Sequence, residues 1–155
     1  MIGQPATSLA QAKANMSGTW VLDRSRSNFG RFSKEAANAK ITMKILHKEP
    51  TLKMTRSGTL NGESRSQNLT FYTDGRGETN PGLIDNSQAR SKTTWEGTKL
   101  VTHSWSSLSV GGESVQLETL ERRELSSDGK TLTVSVTASS PRGIDNLKLV
   151  FTRSS

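Results

Sequence analysis

From Gly18 to the C-terminus, apolar and polar residues alternate singly over short stretches, the period expected of strands with one buried face. The clearest stretch is Lys40 to Lys48, where Ile41, Met43 and Ile45 fall on one side and Thr42 and Lys44 on the other. Glu49-Pro50 turns the chain, and Leu52, Met54 and Arg56 then share a face of the next strand. Further strands are predicted at Thr19 to Asp23, Ser64 to Thr73, Ala89 to Trp95 and Lys99 to Trp105, then at Glu113 to Leu125, Thr131 to Ala138 and Asn146 to Arg153. Turn dipeptides such as Asp74-Gly75, Glu96-Gly97 and Asp128-Gly129 separate them. The pattern predicts an all-β domain: a single antiparallel up-and-down barrel of roughly eight to ten strands, closed so that no long edge is exposed. At most one short helix is expected after the first strand, where Ser33 can cap Lys34 to Ala39.

Residues 1–16 show no period and carry Gly3 and Pro5, so they read as a flexible N-terminal leader ahead of a barrel domain spanning 17–155. Within the leader, Ala10-Gln11-Ala12 resembles the small-residue end of a secretory signal, which favours a secreted or periplasmic protein over a cytoplasmic one. No stretch is long and apolar enough for a transmembrane helix.

Composition narrows the function. The 155 residues include no cysteine, which excludes a disulfide framework, thiolate metal sites and a cysteine nucleophile. Apolar residues make up only 31%, as expected of a β shell whose interior is not packed solid with large side chains. The net charge of +7 raises nucleic acid as a partner. However, no basic run exceeds Arg122-Arg123, and the few aromatics do not alternate with basic residues as a stacking platform would. A nucleic-acid partner is therefore not expected, and a monomer is.

The opening Gly18-Thr19-Trp20-Val21-Leu22, followed by Ser27-Asn28-Phe29, resembles that of fatty-acid-binding proteins and related calycins. Their G-x-W motif sits on the first strand, and an Arg on the last strand packs over its Trp. Arg153 stands where the resemblance requires that Arg, which implies a fold-closing role for Trp20 and Arg153. The chain is also similar to small bacterial secreted lipocalin-like proteins. The similarity lies in Tyr72-Thr73-Asp74-Gly75, Trp95-Glu96-Gly97 and the stretch from Leu125 to Leu132. It implies a lipocalin-like carrier of a small hydrophobic or amphipathic molecule, lipid among the candidates. The segment after the first strand is too short and polar for the paired helices that lid fatty-acid-binding proteins, and the cysteines common in secreted lipocalins are missing.

Strand parity names the polar residues that share the apolar face. The lumen candidates are Met43, His47, Met54, Arg56, Gln67, Phe71, Thr93, Trp95, His103, Trp105, Leu117, Thr119, Glu121 and Arg123. His103 enters this set because it lies between Val101 and Trp105. Inward arginines suit an anionic head, and apolar walls suit the body of an amphipathic ligand. The chain shows no HExxH, GxSxG, P-loop or GxGxxG pattern. No cofactor is implied, and no metal site either, since the only two histidines have no ligand spacing. Two other classes remain open: a hydrolase or isomerase using a lumen histidine with Glu121, and a structural β-module without ligand.

Overall fold

Ten strands follow one another in the computed structural model, which describes residues 14–60, 62–82 and 87–154. The leader up to Lys13 lies outside the described residues. The strands are β1 (Gly18–Leu22), β2 (Lys40–Lys48), β3 (Thr51–Leu60), β4 (Glu63–Tyr72), β5 (Glu78–Pro81), β6 (Gln88–Glu96), β7 (Lys99–Val110), β8 (Glu113–Leu125), β9 (Thr131–Ser140) and β10 (Gly143–Arg153). The sheet order is β4-β3-β2-β1-β10-β9-β8-β7-β6-β5, all antiparallel. The first and last strands therefore pair, and one seam, between β4 and β5, separates an open sheet from a closed barrel.

Side chains stitch that seam where a backbone ladder is missing. The Asn80 amide acts as a substitute strand. Its Oδ1 accepts from the Thr70 N–H at 2.8 Å, and its Nδ2 donates to the Thr70 carbonyl at 2.9 Å. One position along, Glu78 accepts from the Tyr72 N–H at 2.8 Å, and Gln67 Nε2 donates to the Gly82 carbonyl at 2.7 Å. The seam thus leaves neither of these β4 amides unpaired, which buried backbone groups do not tolerate.

β5 has no counterpart among the predicted strands. Its four residues, Glu-Thr-Asn-Pro, carry no apolar alternation and end on a residue that cannot donate to a ladder. After β1 the chain forms two single-turn 3₁₀ helices, Arg24–Arg26 and Gly30–Phe32, then hydrogen-bonded turns. The helix expected from Ser33 is absent. Ser33 instead closes the second 3₁₀ turn, its N–H reaching the Gly30 carbonyl.

One end of the barrel is plugged. Trp20, Met43, Ile45, Leu52, Met54, Leu69, Phe71, Leu100, Leu132 and Phe151 form a continuous buried cluster there. Met16 belongs to the same cluster at 0% exposure, so the residue read as the end of a flexible leader is part of the barrel. Its carbonyl accepts from Trp20 Nε1 at 3.0 Å, and its N–H donates to His47 Nδ1 at 3.0 Å. Arg153 spans the junction of the first and last strands. Its guanidinium lies 4.4 Å from the Trp20 ring centroid and donates to the carbonyls of Ser17, at 2.7 Å, and Gly129, at 2.9 Å. Gly18 makes room for it: φ is +143°, and a Cβ there would overlap Arg153 Nη1. The G-x-W opening therefore has a steric reason, since the glycine is the floor over which the arginine reaches the indole.

Candidate functional site: a polar lumen above a plugged floor

The register follows one face around the barrel. Trp20 stands opposite Met43, Met43 opposite Arg56, and Arg56 opposite Gln67. On the other side Thr93 pairs with Thr102, Thr102 with Glu121, and Glu121 with Val136. These residues line the interior, because directly opposed residues project to the same face of a sheet.

His103 and Trp105 do not line it, which corrects the expectation from sequence. The inner face of β7 is Leu100, Thr102 and Ser104. His103 and Trp105 lie on the outer face, Trp105 39% exposed and tilted against the His103 ring with centroids 4.2 Å apart, and Glu118 is bonded to His103 Nε2. Sequence misassigned the strand because its outer face, Val-His-Trp, is more apolar than its inner face, Leu-Thr-Ser. Parity read from hydrophobicity fails when the lumen is polar.

The remaining candidates fall at three levels. Met43, Met54 and Phe71 are buried in the floor. His47 and Trp95 meet beside it, their rings stacked at 5.9 Å. Glu49 joins them, accepting from His47 Nε2 at 2.6 Å, Thr73 Oγ1 at 2.9 Å and Trp95 Nε1 at 3.1 Å. Burial works against the Glu49 charge, but these donors outweigh it and hold its carboxyl below the ordinary value. Both ring nitrogens of His47 are engaged, and Glu121 is paired elsewhere, so the structure does not bring together the His–Glu121 pair considered above.

Above the floor, Arg56, Gln67, Thr93, Glu121 and Arg123 form a polar layer in two hydrogen-bonded groups, Arg56 with Gln67 and Arg123 with Glu121 and, through Thr102, Thr93. Arg123, 3% exposed, donates to Glu121 Oε2 at 2.9 Å and to Thr102 Oγ1 at 3.0 Å, while its guanidinium lies 5.0 Å from the Phe71 ring centroid. The chain continues from Thr102 to Thr93 at 2.9 Å and from Thr93 to Glu78 at 3.1 Å. Each hydroxyl holds one proton and Arg123 can only donate, so the chain runs in one direction, from the cation at Arg123 to the anion at Glu78.

Arg56 is different. Among the described residues its one hydrogen bond goes to a neutral acceptor, Gln67 Oε1, at 2.8 Å. Burial lowers its affinity for a proton; the Glu121 charge counters that and the Arg123 charge adds to it. Two arginines thus share this layer with Glu121 and, at the end of the hydroxyl chain, Glu78, and of the two cations only Arg123 is bonded directly to a carboxylate among the described residues.

Leu117 and Thr119 continue along β8 towards the open end. There the inner face is built from small side chains, among them Gly58, Ala89, Ser104, Ser106 and Ala138, with Ile41, Val136, Leu147 and Leu149 as apolar walls. These walls face inward yet are only partly buried, so the interior is open to solvent from that end. Sequence reading missed Thr102, Ser104 and the seam residues Glu78 and Asn80. Only the register of β7 and the place of β5 put them inside. Among the described residues no group of histidines and carboxylates has the arrangement of a metal centre.

No protein-family model and no curated protein sequence matches the chain. Solved structures do. The zebrafish ileal bile acid-binding protein, solved with cholic acid, is 16% identical, with a TM-score of 0.65 over 91% of this chain and 100% of that one. A REP1-NXSQ fatty acid transporter is 12% identical, with a TM-score of 0.61 over 90% and 96% of the two chains. Secretory abundant heat soluble protein 4 of Ramazzottius varieornatus is 15% identical, with a TM-score of 0.57 over 94% and 99%. At these identities the likeness is one of fold alone: an up-and-down antiparallel barrel, calycin-like in its strand order.

Proposed function

We propose that the protein binds a small amphipathic molecule in its lumen, an anionic head against Arg56 and an apolar body along the walls nearer the open end. The observation that carries this reading is the Arg56 guanidinium, which is partly buried, directed inward and bonded to a neutral amide rather than to a carboxylate. A partly desolvated cation with no carboxylate bonded to it among the described residues is costly, and a monoanionic ligand supplies that direct contact. Arg123 is already matched by Glu121, so it steadies the site rather than providing the free charge. Gln67, bonded to Arg56 and to the seam at Gly82, holds the guanidinium in place. The bile-acid and fatty-acid ligands named for the structural neighbours are both carboxylates with large apolar bodies, which agrees with this reading. A carrier role, in a protein exported from the cell and working as a monomer, fits the same reading.

The test is displacement of a fluorescent fatty acid from the purified protein, with native mass spectrometry to detect any retained molecule. Saturable binding of the carboxylate probe, with much weaker binding of its methyl ester, is expected. Equal binding of acid and ester would remove the role given to Arg56, and no binding of either would point to the structural module.

A further inference from the structure

The outer wall of β1–β4 carries a feature that the lumen does not explain. Parity places Lys40, Lys44, Leu46 and Lys48 of β2 on the outside, with Lys53 of β3 directly opposite Leu46. All four lysines are exposed, and Leu46 is 72% exposed in their midst. None of them forms an ion pair among the described residues, and the outward positions of β1 to β4 hold no carboxylate. The opposite wall is balanced instead: Arg90, Lys92, Lys99 and Arg122 alternate with Glu96, Glu118 and Glu124 on the outer positions of β6 to β8. The lysine wall is also hollowed. A depression of about 610 Å³ is lined by Lys44, Leu46 and Lys53 together with Thr19, Thr55 and Thr70.

We infer that this wall docks on an anionic phospholipid surface. Lysines are attracted to such a surface and are not repelled by any acid of their own wall. The hollow between them offers the Lys44 and Lys53 ammonium groups, with Thr19 and Thr70 beside them, as donors to a phosphate headgroup. Leu46, apolar and ringed by Lys44, Lys48 and Lys53, enters the headgroup layer while their stems follow it and their charges remain at the surface. A second copy of the chain is a poor occupant, because two such walls repel one another. Nucleic acid fits less well than lipid: Tyr72, the aromatic ring that shares this face among the described residues, is already covered by the Arg76 guanidinium 4.7 Å from its centroid, and Leu46 would have no partner. This contact uses the side of the barrel and leaves the open end free. It does not depend on what the lumen holds.

The test is co-sedimentation of the whole protein with vesicles of phosphatidylcholine alone or mixed with phosphatidylserine. Binding to the mixed vesicles only, weakened by added salt, is expected. Lys44→Glu with Lys53→Glu should lower the apparent affinity roughly tenfold or more. The matched pair on the balanced wall, Lys92→Glu with Lys99→Glu, makes the same change in net charge and should cost less than about twofold. Leu46→Ser, which changes no charge, should cost roughly threefold. Should the glutamate pair fail to fold, Lys44→Gln with Lys53→Gln reads out the same surface. Equal losses from both walls would mean diffuse attraction to net charge and overturn the proposal, as would absence of binding to the mixed vesicles. Tighter binding of duplex DNA, lost in the same Lys44/Lys53 variants, would reassign the wall to nucleic acid.

Discussion

The N–H of Met16 donates to Nδ1 of His47 at 3.0 Å, and this single bond determines the state of the imidazole. A nitrogen that accepts carries no proton, so Nε2 holds the ring hydrogen and donates it to Glu49 at 2.6 Å. The segment before β1 is thereby tied to β2, and its methionine completes the floor. Met16→Ala empties a fully buried position and should cost about 2–4 kcal/mol. Urea unfolding followed by tryptophan fluorescence checks this. A loss below about 0.5 kcal/mol would show that Met16 is not part of the packed floor.

The Glu49 carboxyl, held below its ordinary value by three donors, makes stability depend on acidity in a defined direction. A depressed carboxylate contributes fully above the unfolded value, near 4.5, and its contribution is lost as pH falls through the lower folded value. Wild type should therefore lose stability more steeply than Glu49→Gln between about pH 5 and pH 3. Parallel pH–melting curves for the two proteins would show that Glu49 makes no such contribution.

Arg56 and Arg123 should respond to substitution in opposite ways. Arg56→Met removes a desolvated cation without a carboxylate partner, so stability should stay within about 1 kcal/mol of wild type or rise. Binding of an anionic probe should fall at least roughly tenfold. Arg123→Met leaves Glu121 and Thr102 without their donor and should destabilise by about 2–4 kcal/mol. Chemical denaturation and probe titration of both variants separate the roles; a large stability loss from Arg56→Met would make that residue structural.

The seam depends on Asn80. Replacement by Ala strips both the Thr70 N–H and its carbonyl of their partners and should cost about 2–3 kcal/mol. Amide exchange at Thr70 should accelerate far more than at Leu132 in the floor. Unchanged protection at Thr70 would mean the strands hold together without the amide.

Gly18→Ala places a methyl where Arg153 Nη1 lies and forces a side chain into a left-handed backbone conformation, at a cost of about 1–3 kcal/mol. Arg153→Lys should cost about 1 kcal/mol, since an ammonium cannot cover the indole and reach two carbonyls together. The double variant should be less destabilised than the sum of the singles, because both act on one contact. Additive losses in a double-mutant cycle would separate them.

Much of this was legible along the chain. Alternation in β2, β3, β9 and β10 named their inward residues without help, because in each the apolar face is the buried one. The turn dipeptides set strand order, and Trp20 with Arg153 pointed to closure of the first strand on the last. What sequence could not carry were positions whose neighbours come from distant strands. The inner face of β7 is the more polar one, so hydrophobicity alone turned His103 and Trp105 inward. Asn80 acquires its role only because Thr70 stands across the seam. Met16 looks like any leader residue until His47 and Trp20 enclose it. Single alternation determines that a strand exists and which residues share its side. Which side is the inside is decided by the register of the closed barrel, where a polar lumen and a partly polar exterior are told apart only by what each face meets.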